Sequence, residues 1–239
     1  ADPFNATNPM PFFPGDDDIR FYGNSPARTE IEKQPFLLIN DKGHRMGNES
    51  ATEMLQGEEM QHEPSDSGTY YCLFDADYGT WLTALGQDKA VLTADQISEY
   101  EGLTPPILYQ ADTIADLAKK INVDAAEMQA TIDRHNKLAD GGADLDYYKD
   151  AKYLYKIQKA PYYAMVRQYT VGAVLGGLKV DENCNVIDRN GENIKGLYAV
   201  GNDMGGLQTA KDYVWHDYGM TLSCATTFGY LVGKNLAKA

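Results

Sequence analysis

The stretch Gly196–Gly206 (GLYAVGNDMGG) constrains the fold of this chain more than any other. A turn glycine opens it. Leu197, Tyr198, Ala199 and Val200 follow, an apolar run long enough for a short buried strand. The strand then breaks into Gly201, Gly205 and Gly206. After a polar stretch, residues 219–239 (GMTLSCATTFGYLVGKNLAKA) carry helical spacing and predict a long helix opening near Met220. Strand, glycine turn and helix start together mark a place where backbone comes close to another group, because glycine has no Cβ. The helix start adds unpaired N–H groups and a partial positive charge.

Composition narrows the partners. A formal net charge of −14 is the opposite of the basic footprint that nucleic acid requires, so no nucleic-acid partner is expected. No run approaches the ~20 apolar residues of a membrane span. The 239 residues suffice for one large domain or two small ones. Cys72, Cys184 and Cys224 cannot all pair with one another and form no C-x-x-C, so the cysteines read as reduced and no metal site is expected.

Along the chain, residues 1–30 hold Pro3, Pro9, Pro11, Pro14, Pro26 and the run Asp16-Asp17-Asp18, and read as irregular linker. Ala1-Asp2-Pro3-Phe4 reads as a cloning remnant, as on an excised piece. Residues 35–40 (PFLLIN) predict a strand, Asp41-Lys42-Gly43 a hairpin turn, and 69–75 (TYYCLFD) a second strand rich in β-branched and aromatic residues. Thr93-x-x-Gln96 is a capping box for a short helix ended by Gly102, and Ile107–Gln110 is a short strand. Thr113-x-x-Asp116 starts a helix to about Ile121. Asp124 caps another, with Met128, Ile132, His135 and Leu138 near one face and Gly141-Gly142 as its stop, which makes His135 a core-edge residue. Residues 161–170 (PYYAMVRQYT) predict a further strand, and Asn190-Gly191 a hairpin turn.

The C-terminal order resembles that of the flavoprotein family that includes fumarate reductase, succinate dehydrogenase, urocanate reductase and ketosteroid dehydrogenase. Members end with GLYAAGE, a glycine pair, a glycine–asparagine turn and a closing helix. The matching residues here are Gly196–Asn202, Gly205-Gly206, Gly219-Met220 and residues 223–233. Gly176-Gly177-Leu178-Lys179-Val180-Asp181 resembles the family's GGL/V-x-I-D segment, and Asp112–Asn136 resembles the close of its capping domain. The resemblance runs from about Pro35 to the end and implies an α+β fold. Residues 31–160 would be a substrate-capping domain. Residues 161–239 would be the C-terminal part of a Rossmann-like FAD-binding domain that lacks its N-terminal dinucleotide-binding half. The G-x-G-x-x-G that holds the pyrophosphate in such proteins is absent before Gly196. The partners implied are therefore a small-molecule substrate and the missing FAD-binding segment, with self-association through uncovered apolar surface. The chain alone is expected to bind FAD weakly or not at all.

The resemblance also assigns residues. Gly201, Asn202, Asp203, Gly205, Gly206, Gly219, Met220, Thr221 and Leu222 are the cofactor-binding candidates, with Asn202 or Asp203 at the ribityl chain and the helix start at the flavin's N1 side. Glu49, in HRMGNE (44–49), matches a glutamate of the family's proton-delivery route; its other reading is a surface carboxylate after a hairpin. The family's acid arginine is missing after the 69–75 strand, where Tyr78 is a candidate donor or else packs beside Trp81. The substrate histidine is missing from Val171–Leu175, and the carboxylate-clamping arginine from Gln208–Tyr218, where Lys211 or His216 could meet an anion. His216 is the third catalytic candidate, with a side chain suited to proton transfer. These departures point from a short dicarboxylate toward a bulky or aromatic unsaturated substrate, reduced by hydride transfer at a carbon–carbon bond. Two other readings stay open: a non-catalytic binding or structural piece, and a subunit whose FAD site another chain completes.

Overall fold

Residues 69–75 (TYYCLFD), mostly aromatic and apolar, form the spine of a sheet. The computed structural model describes residues 31, 34–51, 62–168, 177–205 and 220–238. The chain divides into a larger unit, Pro9–Thr170, and a smaller one that takes in Val171–Ala239. In the larger unit β1 (Leu37–Ile39), β2 (Thr69–Asp75), β3 (Leu108–Ala111) and β4 (Tyr162–Gln168) form one sheet in the order β1-β2-β4-β3. Every pairing is antiparallel, with Leu37 opposite Leu73, Tyr71 opposite Val166 and Leu108 opposite Met165. β2 is buried from Tyr70 to Asp75, so both its faces are covered and its side chains need no polar alternation.

The helices of this unit start and stop where local chemistry says they should. Between β2 and β3 lie α1 (Tyr78–Ala84) and α2 (Ala94–Gly102). Thr93 and Gln96 close the expected capping box, Gln96 N donating to Thr93 Oγ1 at 3.2 Å and Thr93 N to Gln96 Oε1 at 2.9 Å. α3 (Ile114–Ile121) and α4 (Ala125–Asp140) follow β3. Asn122, at φ 57°, ends α3 in the left-handed region, and Asp124 Oδ1 accepts from the amides of Ala126 and Glu127 to open α4. The buried residues of α4 are Met128, Ile132, His135 and Leu138, the face its spacing dictates. The three apolar ones are worth about 1.5–3 kcal/mol each on burial.

After β2 the chain enters α1, where Phe36, Phe74 and Tyr163 receive the Tyr78 ring. The larger unit runs through Thr170. β4 belongs to the larger unit because its backbone bonds on both sides, to β2 and to β3.

The smaller unit holds the hairpin β5 (Asn185–Ile187) and β6 (Asn193–Tyr198), a 3-10 turn at Gly201–Asp203, and α5 (Met220–Leu236). Asp188 Oδ1 accepts from the amides of Asn190 and Glu192, which forms the hairpin turn predicted at Asn190-Gly191. The buried strand expected at 197–200 lies earlier and is open: β6 pairs only with β5, and Leu197 is 42% exposed. Gly196 sits inside β6 at φ 78° rather than in a turn. Cys72 and Cys184 are buried and Cys224 half-buried, and none of the three is in a disulfide. Among the described residues no helix is long and apolar enough to cross a membrane.

Candidate functional site

In the smaller unit the glycine segments meet each other. Leu178 N donates to Asp203 O at 2.8 Å, and Gly205 N donates to Leu178 O at 2.9 Å. This short parallel bridge lays Gly177 against Asp203–Gly205. A Cβ on Gly177 would stand 2.7 Å from Asp203 C and from Gly205 N, and one on Gly205 would stand 2.6 Å from Gly177 O. Neither is possible without moving backbone. Gly201 is the third member: at φ 62° it turns beside α5, where a Cβ would come 3.1 Å from Ala225 Cβ. The fold therefore gathers Gly201, Asn202, Asp203 and Gly205 with Gly177 and the N-terminal half of α5. Asn202 and Asp203 keep their side chains exposed, and so does Gly177 its backbone. Met220, Thr221 and Leu222 form the first turn of α5, which carries no acidic side chain to neutralise the helix's positive end. Leu222 is 70% exposed. Bare main chain at the crossing, with a helix whose first turn carries no acidic side chain, fits a flat group such as a flavin. Gly206 and Gly219 lie outside the described residues, as do Val171–Leu175 and Gln208–Tyr218 with Lys211 and His216. Gly177 is the addition the structure makes; the Gly176-Gly177 pair was its signal.

The larger unit holds the other two candidates, and both are enclosed. Glu49 is not a surface carboxylate: it is 4% exposed. Its Oε1 accepts from Arg45 Nε at 2.9 Å and Leu38 N at 3.3 Å, and its Oε2 from an Arg45 terminal nitrogen at 2.8 Å. Lys149 Nζ, itself buried, lies 3.1 Å from Oε2 and donates to Pro35 O at 2.6 Å. Arg45 also forks onto Asp144 at 3.1 and 2.7 Å. Burial by itself would raise both carboxyls, but the cations outweigh it. Lys149 and Arg45 bring Glu49 down to about 2, and Arg45 brings Asp144 down to about 2. Glu49 is thus held ionised between Arg45 and Lys149.

Tyr78 lies in the core. It is 6% exposed, its hydroxyl accepts from Leu92 N at 3.1 Å and donates to Leu92 O at 3.3 Å, and burial pushes it up to about 12. Its hydroxyl bonds to backbone in both directions and its ring sits among Phe36, Phe74 and Tyr163, the packing alternative among its two readings. Trp81 joins the same aromatic group through Phe36 and Tyr155.

Comparison with known proteins gives these observations a family. Residues 20–212 match the model of the FAD binding domain family. The chain is 32% identical over 205 residues to an NADH:acrylate oxidoreductase of Vibrio harveyi, covering 86% of this chain and 19% of that one. It is 29% identical over 195 residues to a vinyl phenol reductase of Lactiplantibacillus plantarum, covering 78% and 40%. Among solved structures, a 3-ketosteroid delta1-dehydrogenase from Sterolibacterium denitrificans in complex with 1,4-androstadiene-3,17-dione superposes at a TM-score of 0.70 with 23% identity, over 97% of this chain and 43% of that one. The chain thus spans well under half the length of these relatives. The match over most of its length leads to one conclusion: the chain belongs to the FAD binding domain family of flavoproteins, whose cofactor is FAD.

Proposed function

We propose that this chain supplies the substrate cap and the C-terminal flavin-contacting segment of an FAD-dependent oxidoreductase. The whole enzyme moves a hydride between flavin and a carbon–carbon double bond. The observation that carries the reading is the crossing of Gly177 with Asp203–Gly205, where only glycine fits, beside a helix start free of acidic side chains. Gly201, Asn202, Asp203, Gly205, Gly206, Gly219 and the first turn of α5 would hold the cofactor, which supplies the hydride chemistry. This chain's part is to offer main-chain contacts and a positive helix end to the charge that gathers on reduction. Relatives named for acrylate and vinyl phenol support an activated alkene. The missing arginines and histidine, set beside Tyr213, Trp215 and Tyr218, support a substrate larger and less charged than a short dicarboxylate. With Tyr78 in the core and Glu49 in an ionic anchor, His216 remains the candidate acid.

The smaller unit supports a further covering segment, in the same gene product or from another chain. Leu222, Tyr230, Leu231 and Leu236 of α5 are between 43% and 70% exposed, apolar area suited to burial. The test is full-length protein, reduced by a viologen donor and assayed against fumarate, acrylate, 4-vinylphenol and bulky enones, with and without His216→Ala. The reading expects slow fumarate turnover, faster turnover of an aromatic or bulky alkene, and a loss of about a hundredfold or more in kcat for the variant. Fast, saturable fumarate reduction untouched by His216→Ala would overturn it.

A further inference from the structure

The segment 143–150, between α4 and the turn at Ala151–Tyr153, is attached in an unusual way. Its large apolar side chains point outward, Leu145 being 70% and Tyr148 81% exposed. The side chains it buries are charged: Asp144 takes the Arg45 fork, and Lys149 reaches Glu49 and Pro35 O. Tyr147 adds one bond, its hydroxyl donating to Arg45 O at 3.3 Å. The segment is thus seated by ionic contacts and not by an apolar anchor. Tyr148 also sits at φ 57°, a left-handed conformation that strains an aromatic residue and relaxes if the segment lifts. A groove of about 610 Å³ borders it, lined by His44, Arg45, Thr131, Arg134, Asp146 and Tyr147.

His135 completes the seat. It is 1% exposed on the buried face of α4, its Nε2 bonds Tyr155 O at 2.7 Å, and its Nδ1 has no hydrogen-bond partner among the described residues. That carbonyl partner makes Nε2 the protonated nitrogen and leaves a buried lone pair at Nδ1. The charged groups facing the ring are Lys149 and Glu49 and, behind them, Arg45, which carries Asp144. With His135 neutral, two cations balance two carboxylates. A proton on Nδ1 adds a third cation to an enclosed site and has no carboxylate of its own.

We propose that residues 143–150 form an acid-released strap, in which protonation of His135 unseats Asp144 and Lys149 from Arg45 and Glu49 and opens the bordering groove, while the sheet stays folded. Burial first, then Lys149, holds the imidazole down to about 4, whereas the carboxyls lie near 2. His135 is therefore the member of the cluster that changes charge first as pH falls.

Carbodiimide labelling of the whole 239-residue chain tests this between pH 7 and 4.5. The labelling of buried Asp144 is normalised to exposed Asp140, and Asp75, fully buried in the sheet, serves as the control for global unfolding. The expected result is a rise in Asp144 labelling of about tenfold per pH unit, one proton's worth, with Asp75 unlabelled. In His135→Phe the rise disappears, and in Tyr148→Gly, with the strain gone, labelling at a given pH falls about fivefold. Asp144 and Asp75 becoming labelled together, or an unchanged profile in His135→Phe, would overturn the proposal. Should His135→Phe not fold, the wild-type imidazole ¹⁵N titration decides: uptake of the proton over the labelling range supports the strap, and a ring still neutral where Asp144 is labelled refutes it.

Discussion

Replacing Arg45 with methionine would show what the buried ionic cluster is worth. The side chain of Arg45 is 8% exposed, and it bridges Glu49 and Asp144, whose side chains are 1% and 0% exposed. Methionine keeps most of the volume but removes every donor. Glu49 retains Lys149, while Asp144 keeps only backbone amides, of Asp146, Tyr147 and Lys149. Breaking a buried pair by removing one partner costs about 3–5 kcal/mol, because a desolvated charge is left behind. With a urea slope of about 2 kcal/mol/M, the midpoint should fall by roughly 2 M at pH 7. The pH dependence follows from the carboxyls. In the wild type both are depressed, from 4.5 and 3.8 to about 2, so their stabilisation is present above their ordinary values and is lost as pH falls toward 2. In the variant, burial dominates Asp144, which is relieved by taking up a proton. The gap between the two proteins should therefore be widest at pH 7 and shrink toward pH 4.5. Urea unfolding followed by far-UV circular dichroism at several pH values measures it. A loss below about 1 kcal/mol at pH 7, or a gap that widens on acidification, would refute the reasoning.

Gly177→Ala places a Cβ against the backbone of Asp203 and Gly205 and should cost about 1–3 kcal/mol of overpacking, read as weaker FAD retention by full-length protein in ultrafiltration. Unchanged retention would remove the crossing from the cofactor site. Tyr78→Phe leaves Leu92 N–H without its partner and should lower stability by about 1–2 kcal/mol in thermal unfolding, with turnover by the full-length enzyme unchanged. A large fall in kcat without loss of fold would restore Tyr78 as an acid. Asp75→Asn preserves shape but turns an amide NH₂ toward N–H donors, since Oδ1 accepts from Asp77 N and the Tyr155 hydroxyl, and Oδ2 from Gln158 N and Lys159 N at 2.7 Å. A destabilisation of about 2–3 kcal/mol is expected in urea, and a neutral result would mean that the carboxylate's charge is not what holds residues 155–159.

Much of this protein is written locally. The capping box at Thr93, the Asp124 cap, the Gly141-Gly142 stop and the face Met128–Ile132–His135–Leu138 need only nearest neighbours and a helical period, and the structure places them as read. The glycine crossing was legible for the same reason: glycines at 201 and 205 announce close backbone approach whatever they approach. Other features depended on distance in the fold. Arg45 and Asp144 are 99 residues apart, and nothing local marks them as partners or converts Glu49 from a hairpin carboxylate into a buried anchor. Tyr78 reads equally well as a donor or as a core residue until Leu92 takes both its bonds. β4 could join either unit by its apolar pattern, and backbone pairing with β2 and β3 decided. The sequence by itself determined helices α2 to α5, the caps at Thr93 and Asp124 and the glycine signature, because those rest on contacts within a few residues. Only the tertiary structure decided which polar groups are buried together, because a charge's protonation and role depend on the partners that long-range folding brings to it.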